Sequence, residues 1–356
     1  MSATELYAVS RVPAYQNKMF GTREAALACP TGDVVLAQDA ASGLVSNIAY
    51  DPQLLRYDES YQNEQGVSSR FRDHLDEVLA KVAAAFGNGD ILEVGCGKGL
   101  FVELMRSHGL QARGLDDAYE GHAPYIEKRH FGTAPESPAD ALVLRHVLEH
   151  IPGPARFLRM IADANHNQGL IYIEVPCFDW IMRKRAWFDI FYEHVNYFRL
   201  SDFHTMFDDV VESGHLFGGQ YLYAIARLSS LRTEPPPAET SAVNFPNNFA
   251  HTLDVLAADA LASPVRHRAI WGAAAKGVMF AHHLGLRGVH FDTAIDINPG
   301  KQGLYLAATG LAVAAPDHAL NQLPPGSDIY VMNSNYLPEI TQLGGDQFHY
   351  IAVDKP

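Results

Sequence analysis

The residues best suited to chemistry form one short stretch, Asp90–Gly99, with the sequence DILEVGCGKG. Apolar residues lead up to Glu93 and to three glycines at 95, 97 and 99, and apolar residues at helical spacing follow. Glycine tolerates positive φ and lets a ligand approach the backbone, while the first N–H groups of the following helix face the same place. The stretch therefore predicts a strand, a ligand-binding turn and a helix.

The spacing of these glycines indicates which class of ligand the turn binds. A dinucleotide fingerprint has the form G-x-G-x-x-G, whereas the third glycine here follows the second after only one residue, which disfavours NAD. The pattern Glu-x-Gly-x-Gly-x-Gly resembles motif I of class I S-adenosylmethionine-dependent methyltransferases, where the turn passes under the methionine end of the cofactor. Another nucleotide-binding turn, or a purely structural one, is the alternative.

An acid about twenty residues after the turn supports this interpretation. Asp116 ends the second predicted strand, where a carboxylate can accept hydrogen bonds from both ribose hydroxyls of a nucleoside. A simple turn acid is the alternative. With the resemblance to motif I, the predicted cofactor-binding residues are Glu93, Gly95, Cys96, Gly97, Gly99, Asp116 and His146.

A polar island, Tyr192-Glu193-His194, interrupts the aromatic-rich segment 180–207. An ionisable pair is costly to bury unless it is paired, and a histidine near a carboxylate has a pKa suited to moving protons at neutral pH. The residues alone leave a structural pair and a catalytic pair equally open.

The elements that position these residues alternate between strand and helix over 90–176. A helix is predicted over Ser69–Phe86, and buried strands over 139–147 and 169–176, with a weak strand between 125 and 136. This order indicates a parallel sheet with helices on both faces, whose ligands gather at the carboxyl ends of the strands. Paired strands over 215–228 are expected to close the sheet. Before residue 56, only a small hairpin within 29–52 is predicted.

The predicted fold is α/β, with a class I methyltransferase Rossmann-like sheet and a second, smaller C-terminal Rossmann-like α/β domain. The predicted boundaries give an amino-terminal subdomain over 1–56, a methyltransferase domain over 57–230, a proline-rich linker with a connecting helix over 231–266, and the C-terminal domain over 267–356. The glycine turn of this last domain, Gly272–Gly277, contains Lys276, which would help to hold an anion. A module that only buttresses the first domain is the alternative.

Composition limits the class of protein. The chain has 356 residues, 47% of them hydrophobic, and a net charge of −14, which argues against a nucleic-acid partner. No apolar run of membrane-spanning length and no signal peptide is evident, so a cytoplasmic protein without a membrane partner is expected. The three cysteines are far apart and give no metal-binding or disulfide pattern.

Five motifs in order carry a resemblance over nearly the whole chain: the glycine turn, HVLEHIP, EHVNYF, GAAAKG and IDINPGKQG. They resemble the three-part sugar C-methyltransferases, which install a methyl group on a nucleotide-linked keto-deoxysugar. Family members usually begin with a small zinc-binding domain. This chain keeps Cys29 in CPTGD but has no thiol in Ala37–Gly43, where the second cysteine pair would lie, so no metal is predicted.

The resemblance implies roles for individual residues. His194 would be the base that removes a proton beside a ketone, and Glu193 its neighbour; His150 would face the substrate. Tyr61 matches the tyrosine-containing region that precedes the methyltransferase domain in the family. Some relatives have a tyrosine just before the Glu-His pair; that position is Phe191 in this chain, and Tyr192 follows it. The remaining predicted substrate-binding residues are Tyr57, Lys276 and Gly277.

The predicted function is therefore S-adenosylmethionine-dependent methyl transfer to a small molecule, most directly to a carbon of a nucleotide-linked keto-deoxysugar. Methylation of an oxygen or nitrogen on another specialised metabolite is one alternative, since it needs the same cofactor cleft and a weaker base. A non-catalytic cofactor-binding scaffold is another. The sequence leaves the oligomeric state open.

Overall fold

A computed structural model describes residues 3–55, 66–233, 242–263 and 266–355. Strands and helices are numbered in chain order. Within the described ranges, no helix is both long and apolar enough to cross a bilayer.

The amino-terminal part forms a four-stranded antiparallel sheet of order β1-β2-β3-β9. Its elements are β1 (Ala3–Pro13), α1 (Arg23–Leu27), β2 (Thr31–Asp39), β3 (Val45–Asn47) and β9 (Asn196–Tyr197). The predicted hairpin is confirmed as β2 and β3, but the long strand β1 was not predicted. The fourth strand belongs to the EHVNYF motif, so the sheet crosses the predicted boundary at residue 56.

The second sheet has seven strands in the order β10-β11-β8-β7-β4-β5-β6. Strands β6, β5, β4, β7 and β8 are parallel neighbours, and β11 runs antiparallel between β8 and β10. Its elements are α2 (Ser69–Phe86), β4 (Asp90–Val94), α3 (Leu100–Ser107), β5 (Gln111–Leu115), β6 (Ile126–Glu127), β7 (Ala141–Arg145), α4 (Pro154–Ala164), β8 (Leu170–Pro176), α5 (Phe178–Lys184), α6 (Leu200–Met206), β10 (Val210–Leu216) and β11 (Tyr221–Arg227).

Helix α2 shows why these elements form where they do. The Ser68 side chain caps its first turn by accepting a hydrogen bond from the Phe71 N–H, and Gly87 ends it with φ of 59°. The apolar face predicted from the 3.6-residue period is buried, from Phe71 to Val82. The predicted bounds of this helix are confirmed.

The C-terminal domain is a five-stranded parallel sheet of order β14-β13-β12-β15-β16. It follows α7 (His251–Ala262), and its elements are β12 (Arg268–Trp271), α8 (Ala275–Gly285), β13 (Thr293–Ile295), β14 (Val313–Ala314), α9 (Pro316–Gln322), β15 (Asp328–Val331), α10 (Leu337–Gly344) and β16 (His349–Ala352). The short β14 was not predicted. The Rossmann-like α/β architecture expected for this part of the chain is otherwise confirmed.

One apolar core joins all three parts. Leu36 of the amino-terminal sheet, Leu92 of the central sheet, and Trp187 and Phe280 at the contact with the C-terminal domain belong to the same buried cluster. The rings of Trp187 and Phe280 stack with centroids 5.7 Å apart. The three sheets therefore pack as one body around the site between them.

Candidate functional site

A cavity of about 350 Å³ lies at the carboxyl ends of β4, β7 and β8. Its walls come from the methyltransferase sheet on one side and from the C-terminal domain on the other, including Gly97, His146, His194, Lys276 and Asn333. Ligands of parallel α/β sheets gather at this edge. The cavity therefore lies where the sequence predicted that ligands gather, at the carboxyl ends of the parallel strands.

The glycine turn has the conformation that its sequence predicts. Gly95, Gly97 and Gly99 have φ of 76°, 56° and 84°, values that favour glycine. A Cβ at Gly95 would lie 2.4 Å from a methyl of Val147, whereas a Cβ at Gly97 would meet no atom within 4 Å. Gly97 therefore borders the open cavity and leaves room for a ligand beside its backbone.

Asp116 supports this turn directly. Its Oδ2 accepts a hydrogen bond of 2.7 Å from the Gly97 N–H, and its Oδ1 accepts one of 2.8 Å from Ala118. Asp116 does not line the cavity, whereas Cys96 does. The carboxylate holds the turn in shape, and its role toward a ribose stays a prediction.

Glu93 ends β4 beneath the turn and is buried. Among the described residues, its Oε2 has no hydrogen-bond partner. Burial raises the pKa of Glu93 to about 7, although the nearby Arg145 guanidinium opposes the rise. An acid that is partly protonated at neutral pH can both donate and accept a hydrogen bond, which suits a residue at the cofactor end of the cavity.

His146 lies between two buried carboxylates. Its Nε2 is 3.1 Å from Glu174 and its Nδ1 is 3.4 Å from Glu149. Burial lowers the pKa of His146, but the two carboxylates outweigh burial and raise it to about 9. The ring is therefore an imidazolium at neutral pH, and it faces the cavity.

We expect His146→Gln to change the pH dependence of stability. Because the folded pKa of about 9 exceeds the ordinary 6.5, protonation of His146 stabilises the fold fully below pH 6.5, and this contribution is lost as the pH rises through 9. Urea unfolding between pH 6 and 10 should show the wild type losing stability relative to the variant over that window. A pH-independent difference would contradict the raised pKa.

His194 lines the cavity together with His150. Their ring centroids are 4.9 Å apart, and the His194 ring packs on Phe191 at 4.0 Å. The His150 Nδ1–H donates to the Glu193 carbonyl at 2.8 Å, so Nε2 is the ring nitrogen left for a further contact. Burial, and then the charges of His150 and His146, hold the pKa of His194 well below its usual value, so its imidazole is neutral at pH 7.

The side chains of the two residues before His194 contact the amino-terminal part of the chain, and their catalytic roles stay predictions. The Glu193 carboxylate accepts from the Gln16 backbone N–H at 3.3 Å, and the Tyr192 Oη accepts from the Asp51 N–H at 2.7 Å. Neither side chain lines the cavity. Both side chains tie the methyltransferase domain to the amino-terminal part of the chain, because Tyr192 and Glu193 lie in a turn that the backbone makes just before His194.

Tyr192→Phe tests whether the Tyr192 hydroxyl acts in the reaction or only stabilises the fold. We expect a loss of about 0.5–1.5 kcal/mol in the free energy of unfolding, since one hydrogen bond is removed, with no change in the rate of methyl transfer. Urea titration and a turnover assay measure the two effects. A tenfold fall in the rate of methyl transfer with unchanged stability would support the predicted catalytic role of Tyr192.

Lys276, which was predicted to hold an anion, forms an ion pair with a carboxylate. The Lys276 ammonium lies 2.8 Å from Asp189 and over the Trp180 ring. Gly277 does not line the cavity: a Cβ there would lie 2.0 Å from the Gly272 carbonyl oxygen, so this glycine allows α8 to pack on the turn. The structure gives Gly277 a packing role, and substrate binding by this residue stays a prediction.

Other predicted and unpredicted residues complete the site. Tyr57 and Tyr61 lie outside the described residues. Sequence reasoning missed the buried Glu149, which the HVLEHIP motif places three residues after His146, and the cavity-lining Asp189. Cys29 is buried without a disulfide, and the fate of the zinc site stays a prediction.

Comparison with known families defines the class first. Residues 65–210 match the family model described as "Methyltransferase domain". With the seven-stranded sheet and the glycine turn after β4, this match identifies a class I S-adenosylmethionine-dependent methyltransferase domain, with S-adenosylmethionine as its cofactor. The open space beside Gly97 and the buried Glu93 fit that cofactor.

A second family model matches the C-terminal domain. Residues 251–343 match the model described as "C-methyltransferase C-terminal domain". The chain therefore combines a methyltransferase domain with a C-terminal domain of the kind described in C-methyltransferases.

Individual proteins that resemble this chain share only a small fraction of its sequence. The C-methyltransferase NovU of Streptomyces niveus is 24% identical over 291 residues, covering 71% of this chain and 68% of that protein. A ubiquinone biosynthesis O-methyltransferase of Yersinia enterocolitica is 30% identical over 113 residues, covering 28% of this chain and only 46% of the relative's length. A solved S-adenosylmethionine-dependent methyltransferase from Archaeoglobus fulgidus is 19% identical, with a TM-score of 0.35, and its match covers 44% of this chain and 96% of its own.

Proposed function

We propose that this protein methylates a carbon atom of a small molecule, with His194 as the general base, and that the acceptor is a nucleotide-linked keto-deoxysugar. The observation that carries the proposal is the neutral, buried His194 imidazole in the wall of the cavity that also contains the glycine turn. An oxygen or nitrogen acceptor needs no such strong provision for proton removal.

The proposed reaction has two steps, removal of a proton and transfer of the methyl group. A C–H bond beside the ketone breaks, its proton passes to the lone pair of His194, and its electron pair forms an enolate. The imidazolium of His146, which lines the cavity, is the group available to stabilise the negative charge of the enolate. The carbon then takes the methyl group that the sulfonium of the cofactor supplies.

The low pKa of His194 has a cost and a benefit for this step. A weak base removes a carbon-bound proton slowly unless the enolate is stabilised strongly. The same low pKa keeps the lone pair free at and below neutral pH. The neighbouring positive charge on His146 lowers the basicity of His194 and at the same time favours the enolate, so the two effects act together.

The acceptor's nucleotide part would lie against the C-terminal domain. Lys276 and Lys301 both reach the cavity, and each is paired with a carboxylate: Lys276 with Asp189 at 2.8 Å, and Lys301 with Asp296 at 3.4 Å. A phosphate would have to compete with Asp189 and Asp296 for these ammonium groups. The nucleotide link therefore rests on the GAAAKG and DINPGKQG resemblance.

Oxygen methylation is the second candidate, because one relative that matches is a ubiquinone biosynthesis O-methyltransferase. Incubation in D₂O with a panel of nucleotide-linked keto-sugars and methyl-labelled S-adenosylmethionine separates the two. Carbon methylation predicts enzyme-dependent entry of deuterium beside the ketone and a labelled methyl on carbon. A labelled product without loss or exchange of any C–H proton would overturn the carbon acceptor, and cofactor binding without any labelled product would favour the scaffold.

A further inference from the structure

Three potential metal ligands converge at the wall of the cavity. One ligand atom from each of Glu149, His150 and His194 lies within 4.8 Å of the others. Glu149 and His194 are buried, and all three residues line the cavity. Two imidazole nitrogens and one carboxylate oxygen are a ligand set typical of divalent transition metals.

The Glu149 carboxylate has bonding capacity left for a ligand. The residue is 1% exposed, and within the described part of the chain neither carboxylate oxygen has a hydrogen-bond partner. The His146 imidazolium lies 3.4 Å from Glu149, but the same ring also lies 3.1 Å from Glu174. A further cation at Glu149 would therefore help to compensate two buried carboxylates that share one imidazolium.

The backbone around the cluster is held rigidly, as a metal site requires. The Val195 N–H donates to the Glu149 carbonyl at 2.8 Å, and the Asn196 side chain donates to the carbonyls of Leu148 and Ile151. The His150 Nδ1–H bond to the Glu193 carbonyl fixes the ring with Nε2 free. A metal-binding histidine commonly has its second nitrogen fixed in this way.

We infer that Glu149, His150 and His194 bind a divalent transition-metal cation of the zinc class. Three protein ligands leave a coordination position open toward the cavity, which is the pattern of an exchangeable site rather than of a closed structural one. Resting on the proposed function, the inference has a regulatory consequence: a cation that uses the His194 lone pair removes the base. Zn²⁺ therefore inhibits methyl transfer, and chelation restores it.

Cobalt is the probe for this site because its visible absorption reports coordination. The chelator-treated full chain should bind one equivalent of Co²⁺ with a visible band that one equivalent of Zn²⁺ removes. Glu149→Gln should weaken Co²⁺ binding by at least about 10-fold, since even residues behind metal ligands contribute 10–100-fold. Glu339→Gln is the matched control: Glu339 lines the same cavity, but its carboxylate accepts from the Ser68 hydroxyl at 2.8 Å.

Co²⁺ binding is measured without any acceptor. A failure of the metal site can therefore be distinguished from a failure of the proposed methyl transfer. No visible band, or equal Co²⁺ binding by the wild type and Glu149→Gln, would overturn the metal site. Thermal unfolding in chelator checks that the variants fold, and His150→Gln carries the same test if Glu149→Gln does not. Zn²⁺ that binds at the cluster without slowing a measurable methyl transfer would overturn the inhibitory consequence.

Discussion

His194→Gln is expected to lower kcat for methyl transfer by about 10²–10⁴-fold, the usual contribution of a general base, and to leave the Kd for S-adenosylmethionine unchanged. Gln keeps a similar size and polarity but cannot accept and carry away the proton. His194 is not part of the glycine turn, so we expect contacts between the cofactor and that turn to be kept. Single-turnover kinetics and calorimetric titration with the cofactor measure the two effects.

His283→Gln is the matched control for His194. His283 is also buried, and burial, with the charges of His282 and Arg287, lowers its pKa to about 4, so it too is neutral. Its ring packs on Trp187 and does not line the cavity. Equal losses of activity in both variants would mean that a buried imidazole matters for folding rather than for proton transfer.

Gly97→Val is expected to weaken S-adenosylmethionine binding by more than about 100-fold, which corresponds to more than about 2.7 kcal/mol. The added side chain would project into the open space beside the turn, and the φ of 56° would be strained by a branched residue. Both effects act on the backbone that faces the cofactor. Equilibrium binding of the cofactor to folded variant protein measures the loss.

Gly87→Val separates strain from ligand exclusion. Gly87 has a nearly equal φ of 59° and likewise no atom within 4 Å of an added Cβ, but it ends helix α2 away from the cavity. We expect both variants to lose similar stability, by about 1–3 kcal/mol, and only Gly97→Val to lose the cofactor. Loss of binding in both would show that the effect is general destabilisation.

Local patterns in the sequence predicted the central fold well. Helix α2, the strand–turn–helix at Asp90–Gly99 and the parallel strands after it each have a strong period or a required glycine. Strand β1 has neither. Most of Ala3–Pro13 is exposed, the pairing with β2 contains two register shifts, and no short turn connects the two strands.

The sequence predicted a ligand site at the carboxyl ends of the parallel strands, which is where the cavity lies, but it did not show the direction of individual side chains. Spacing alone does not show that Tyr192 and Glu193 contact the amino-terminal part of the chain while His194 lines the cavity. Asp189 could not be singled out within an aromatic segment. Its pairing with Lys276 joins residues that are far apart in the sequence.

The position of β9 in the amino-terminal sheet has a consequence for biosynthesis. Val45 pairs with Tyr197, so β3 leaves the ribosome roughly 150 residues before its partner, a wait of roughly 8–30 s at ordinary elongation rates. Until then, the nascent chain carries an unpaired strand edge that other chains can join. Pairing of β3 with β9, which begins at Asn196, two residues after His194, ends this exposure. The strand edge is therefore protected from aggregation in the same folding event that positions the proposed base.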